Sequence, residues 1–415
     1  MIKRYAKDRF LKILLCNFTA CCISFVGAAQ NADLKDILTA PISIDRPTEL
    51  TSIPMSVRGG KLYIEASVNG TKKEFFFDTG SPTILSRALA DDLDLDIIGQ
   101  NTGRDANGTE IVMDYAIVRD ITLGDITFHN VPVLIHDFSK IPLGSCYFEG
   151  GVIGSEILPG SAWKIDTEAE ELQIGSSLEA FAISPGTYEV PLQTFGYPHA
   201  PILDYSIGEF SDKALFDTGS SSQISLFRDI MKDKSVIKAI NNKTVQTGKG
   251  IEGVSAGGVG TMTELNRFEL KEFNLDTTAL GPVQVITKSI PPSLIGTGLL
   301  QFYNITLDYT SMKALLEPRP IKPSVKPQAG FSISIVDGAP KVTQLFKNSP
   351  ADLAGLKLND RVLDIDGRSL SASTETKLCE NSLWLTQAFE SASAKVITVE
   401  RGTKQIQIHM GDVSP

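Results

Sequence analysis

Short apolar runs of β-branched and aromatic residues, punctuated by glycine and proline, dominate this chain. Positions 62–68 and 201–207 are β-rich, and each is followed by an apolar run, 75–77 or 214–216, that stops at an aspartate. Positions 163–166 and 305–308 read as strands ending in aspartate before a turn. An apolar run fills 111–118, and 330–336 alternates apolar with polar positions like a half-buried strand. With 34 glycines and 21 prolines between such segments, the pattern predicts a turn-rich, mainly β protein.

The first thirty residues follow a different pattern. Lys3, Arg4, Lys7, Arg9 and Lys12 precede an apolar stretch over 13–26 that closes on Gly27-Ala28-Ala29. This is the form of a secretory signal over 1–29, predicting export to a periplasmic, extracellular or cell-surface location. A membrane anchor fits less well, because Asn17 interrupts a stretch already shorter than the ~20 apolar residues of a span. Lipid attachment at Cys21 is the minor alternative. No later segment is apolar enough to suggest a transmembrane span.

A length of 415 residues suggests two or three domains. Forty-nine acids against 39 bases give a net charge of −10, which disfavours nucleic acid or an anionic membrane as partner. Outside the signal only Cys146 and Cys379 remain, too distant in sequence to suggest a disulfide framework. His129, His136, His199 and His409 are scattered singly, so no metal site and no cofactor is expected.

One unit occurs twice. Asp78-Thr79-Gly80-Ser81 recurs as Asp217-Thr218-Gly219-Ser220, and Val152-Ile153-Gly154 as Leu294-Ile295-Gly296. The strands ending at Asp166 and Asp308 follow in the same order, with spacings that agree within three residues. The repeat divides the body into lobes over 40–187 and 188–318. A proline- and lysine-rich linker over 319–329 has no core-forming capacity, and a third unit occupies 330–415. Residues 30–57 are either a pro-segment or the first strands of the first lobe.

An apolar strand that delivers an aspartate into a glycine turn is ordinary when single. Two such loops brought together place two carboxylates around one water, sharing a proton, so that one acts as base and the other as acid. Thr79, Thr218, Ser81 and Ser220 would support the loops, and Gly80 and Gly219 would shape them. These motifs resemble the two lobes of pepsin-like or retropepsin-like aspartic proteases, closest in form to a bacterial fused pair of retropepsin-like units. The resemblance implies a bilobal, pseudo-twofold acid-protease β-barrel fold and endopeptidase activity on protein or peptide substrates. Its catalytic residues would be Asp78 and Asp217, and the chain would be a monomer because both lobes are present. It implies that Ser81 and Ser220 hydrogen-bond the carboxylates, favouring their charged form and an acidic working range. It also implies flaps, for which 102–110 and 247–260 are the candidates. The pattern Gly253-x-Ser255-x-Gly257 matches a serine nucleophile elbow, but Gly258 and Gly260 leave no room for the helix that motif needs.

The stretch from Ser349 through Gly355, Asp360 and Asp366-Gly367 resembles a small α+β PDZ domain, which implies a short helix after Ser349-Pro350, a second helix over 374–390 and a closing hairpin of 395–400 and 405–410. The resemblance implies β-strand addition of an extended peptide or of a peptide C-terminus near Gly330, Phe331 and Ile333; the last two either line that pocket or fill the core. The reading is an exported aspartic endopeptidase with a PDZ module for recruitment or regulation. A non-catalytic peptide-binding protein is the alternative.

Overall fold

The computed structural model describes residues 41–410 except 195, 197, 322–328, 388 and 390. The expected signal over 1–29 with Cys21, and most of the proline-rich stretch, lie outside the described residues. No helix among the described residues is long and apolar enough to cross a membrane.

Six strands form one antiparallel sheet shared by the two repeats. In order they are Leu50–Arg58, Glu171–Gly175, Ala162–Asp166, Tyr303–Asp308, Lys313–Pro318 and Tyr188–Thr194. The central pair sets Ala162 opposite Asp308 and Ile165 opposite Ile305. Leu50–Arg58 takes its place by simple alternation: Thr51, Ile53 and Met55 turn inward while their neighbours face out. Ser43–Asp45 also pairs with Ile126–His136, so the described part of 30–57 belongs to the β body.

On this sheet each repeat builds the same crossing. Thr71–Phe77 runs parallel to Gly151–Ile153, and Phe210–Asp217 runs parallel to Ser293–Gly296. Ile84–Ser86 and Ile224–Phe227 run parallel to Ile126–His136 and Val283–Lys288. Each aspartate thereby lies beside an apolar-apolar-Gly segment, and the Asp78 N–H donates to the Ile153 carbonyl at 3.0 Å. The glycines are needed where the backbones cross: a Cβ on Gly154 would stand 2.3 Å from the Ser81 carbonyl oxygen. Below Asp78, Trp163 is fully buried, with Phe77 and Phe128 stacked on it at 6.0 and 5.9 Å, and its indole N–H donates to Leu158 at 3.0 Å. Truncating such a residue typically costs about 3–5 kcal/mol, so the floor beneath the first aspartate is firm.

Residues 329–410 pack a core of Phe331, Val342, Leu356, Val362, Ile397 and Ile408. Ser349 caps the helix Pro350–Leu353 by accepting the Asp352 N–H at 3.2 Å, and the longer helix runs Glu375–Gln387. Among the described residues, this unit is fastened to the body by strand pairing and by a disulfide, among other contacts. Ala339–Phe346 pairs with Gln246–Ile251, Gly248 opposite Phe346 and Gly250 opposite Gln344. The second fastening corrects the cysteine expectation: Cys146 and Cys379 form a disulfide across 233 residues. Folding removes that separation, because the helices Gly144–Tyr147 and Glu375–Gln387 pack side by side. Tyr147 Oη lies 2.5 Å from Ser382 Oγ beside the bridge.

Candidate active site

The two Asp-Thr-Gly loops meet between the repeats and lock together through their threonines. Thr79 Oγ1 donates to the Phe216 carbonyl at 2.7 Å, and Thr218 Oγ1 donates to the Phe77 carbonyl at 2.8 Å. In return each hydroxyl accepts the other threonine's N–H, at 3.0 and 3.2 Å. Both threonines are fully buried, so these bonds form without competition from water.

Each aspartate is oriented by its own loop. Asp78 Oδ1 accepts the Gly80 N–H at 2.9 Å, and Asp217 Oδ1 accepts the Gly219 N–H at 2.7 Å. Each glycine also packs on the opposite carboxylate. A Cβ on Gly80 would stand 2.7 Å from Asp217 Cγ, and one on Gly219 would stand 2.5 Å from Asp78 Oδ2. The two carboxyl groups therefore face one another, and both aspartates are half-buried. Burial, and then the charge of Asp217, hold the Asp78 carboxyl well above the usual carboxylate range. The Gly80 N–H and the Lys61 ammonium pull it back only in part.

Ser81 departs from the expected role. Its hydroxyl donates to the adjacent Pro82 carbonyl at 2.8 Å rather than to Asp78. Without that donor, burial governs Asp78, and its shift runs opposite to the expected stabilisation of the charged form. The serines steady the loops through their backbones: Ser81 O accepts the Ser155 N–H at 3.0 Å, and Ser220 O accepts the Thr297 N–H at 2.8 Å.

The two flap candidates meet tip to tip. The hairpin of Gly99–Arg104 and Glu110–Leu123 turns at Asp105, whose Oδ1 accepts the N–H groups of Asn107 and Thr109 at 3.0 and 2.7 Å. Asn107 Nδ2 then donates to Ser255 Oγ at 2.8 Å, while the Asp105 carboxylate accepts the Gly257 N–H at 2.9 Å and the Ser255 hydroxyl. Ser255 is thus a tie between tips. Val254–Ser255 and Gly258–Val259 form a small hairpin, and no helix follows, which removes the nucleophile-elbow reading.

Two lysines near the dyad escape notice in the sequence. Lys61 Nζ donates to the Gly219 carbonyl, and Lys288 Nζ donates to the Pro292 carbonyl at 3.1 Å. Burial lowers both ammonium pKa values, opposed for Lys61 by Asp217 and Asp78 and for Lys288 by Asp217 and Glu252; Lys288 falls to about 8.

In the C-terminal unit, Gly330 has φ of 80° and packs on Ser349. Phe331 is buried, its ring 6.1 Å from that of Phe389, whereas Ile333 is half-buried. Phe331 therefore fills the core. Among the described residues, no group of histidine, cysteine and acidic side chains is arranged to hold a metal.

Residues 64–157 match the family model for aspartyl proteases. The fold is mainly β, and this stretch of it is similar to aspartyl proteases. The matched stretch contains the first Asp-Thr-Gly loop and Val152-Ile153-Gly154, and it ends before the second repeat. No curated protein matches the chain. Among solved structures, an aspartic proteinase from Irpex lacteus is similar over 66% of this chain and 99% of its own, with a TM-score of 0.41 and 12% identity.

Proposed function

We propose that this chain is an aspartic endopeptidase in which Asp78 and Asp217 together activate a water molecule. The observation that supports this reading best is the pair of facing carboxyl groups held by mutually locked loops. Two carboxyl groups so placed share one proton, an arrangement for which aspartic proteases are the standard instance. Asp78, pushed toward its protonated form, donates to the oxygen of the substrate carbonyl. Asp217 takes a proton from water as the water oxygen adds to the carbonyl carbon. Collapse of the tetrahedral species returns a proton to the leaving nitrogen as the C–N bond breaks. The titration steps belong to the pair. No cofactor enters these steps.

The reading extends to the rest of the chain. Residues 1–29 direct export, and one chain suffices because it supplies both aspartates. The C-terminal unit acts as a PDZ module, taking an extended peptide along the strand Phe331–Val336 beside the helix Glu375–Gln387. The test is cleavage of a quenched fluorescent peptide library by the purified chain, with and without a statine-type transition-state mimic. Cleavage blocked by the mimic is expected. Peptide binding without cleavage at any pH would favour a binding protein instead.

A further inference from the structure

The turn that leads from Leu50–Arg58 into Lys61–Val68 belongs to the first repeat but rests on the second repeat's aspartate loop. The Gly60 carbonyl accepts Thr297 Oγ1 at 2.5 Å, and a Cβ on Gly60 would stand 2.9 Å from Ser221 Cβ. The next residue sends its ammonium to the Gly219 carbonyl, with the Phe76 ring centroid 5.8 Å from Nζ. Gly219 is the residue packed against both carboxyl groups: a Cβ there would stand 2.5 Å from Asp78 Oδ2 and 2.8 Å from Asp217 Oδ1. Lys61 is thus a cation seated on the backbone between two acids.

The surrounding charges leave it that role. Arg58, on the same turn, is engaged by Glu74 and lies 3.7 Å from the centroid of the Tyr63 ring. Lys288 approaches Asp217 from the second repeat, where Glu252 also attracts it. The groups whose charges act on Lys61 itself are Asp217 and Asp78.

We propose that Lys61 is a positioning residue for the hydrolysis proposed above: it pins the second aspartate loop to the first repeat and lowers the proton affinity of the dyad. The inference rests on the dyad reading. A nearby cation favours the ionised carboxylate, so it moves both dyad steps to lower pH, and its removal moves them up. Burial opposes the charge on Lys61, and the two carboxylates beside it favour that charge.

The test uses the full chain carrying aspartate labelled with carbon-13 at the carboxyl group. The dyad signals are identified by their loss in Asp78→Asn and Asp217→Asn, and kcat/KM is followed against pH in parallel. Lys61→Met is expected to raise both apparent dyad pKa values by about one unit or more and to shift the activity profile in the same direction. Lys61→Arg, which keeps the charge, should stay near wild type. If Lys61→Met does not fold, Lys61→Gln replaces it as the neutral variant. A folded neutral variant with unmoved dyad signals overturns the inference, as does an equal shift in Lys61→Arg. If the carboxyl signals shift as expected but no peptide is cut, the tuning stands and the endopeptidase reading fails.

Discussion

Thr218→Val is the sharpest probe of the lock between repeats. Valine matches threonine in shape but removes the hydroxyl that donates to Phe77 O at 2.8 Å and accepts Thr79 N at 3.0 Å. Both orphaned partners stay buried, and each unsatisfied group costs about 1–3 kcal/mol, so the variant should lose about 2–6 kcal/mol. Thr218→Ser keeps the hydroxyl and should lose about 1 kcal/mol for one buried methyl. Urea unfolding would be followed through Trp163, stacked on the residue that precedes Asp78, in a Trp384→Phe background that leaves it as the sole tryptophan. Activity should fall in Thr218→Val and largely survive in Thr218→Ser. A midpoint shift for Thr218→Val no larger than that for Thr218→Ser would refute the hydrogen-bond argument.

Gly219→Ala places a methyl carbon 2.5 Å from Asp78 Oδ2, so the folded variant should lose about 100-fold in kcat/KM, the scale of an ångström-sized misplacement. Cys146→Ser removes a tether spanning 233 residues; loop closure sets its contribution at no more than about 5 kcal/mol, and limited proteolysis with and without reductant should find the C-terminal unit released first. Partial burial lifts the Asp212 pKa from 3.8 to about 6. The folded state therefore binds that proton more tightly than the unfolded state does. Stability should rise as pH falls from about 6 to about 4, by up to ~3 kcal/mol from this group, and unfolding of Asp212→Asn should lack that component.

The doubled loops were legible because they depend on the backbone: only glycine fits where Gly80 and Gly219 meet the opposite carboxyl group, and that requirement leaves a mark in the sequence. The inward alternation at Thr51, Ile53 and Met55 is similarly local, although it did not decide between a pro-segment and a strand. Ser81 misled because its hydroxyl donates to the neighbouring Pro82 carbonyl, a choice that nothing in the local sequence marks. The flap candidates 102–110 and 247–260 were visible, yet nothing in either said that their tips bond to each other. The disulfide was hidden because two helices far apart in sequence pack together only through tertiary structure. Lys61 was one lysine among many, with no repeat signal to mark it, since Ala200 stands at the corresponding distance before Asp217.

The most direct test of the central claim is kcat/KM for peptide cleavage from about pH 3 to 7, comparing wild type with Asp78→Asn and Asp217→Asn. The account predicts a bell-shaped profile for wild type and loss of at least about 1000-fold in each variant, because one carboxyl group cannot serve as acid and base together. Cleavage that survives either substitution would contradict it.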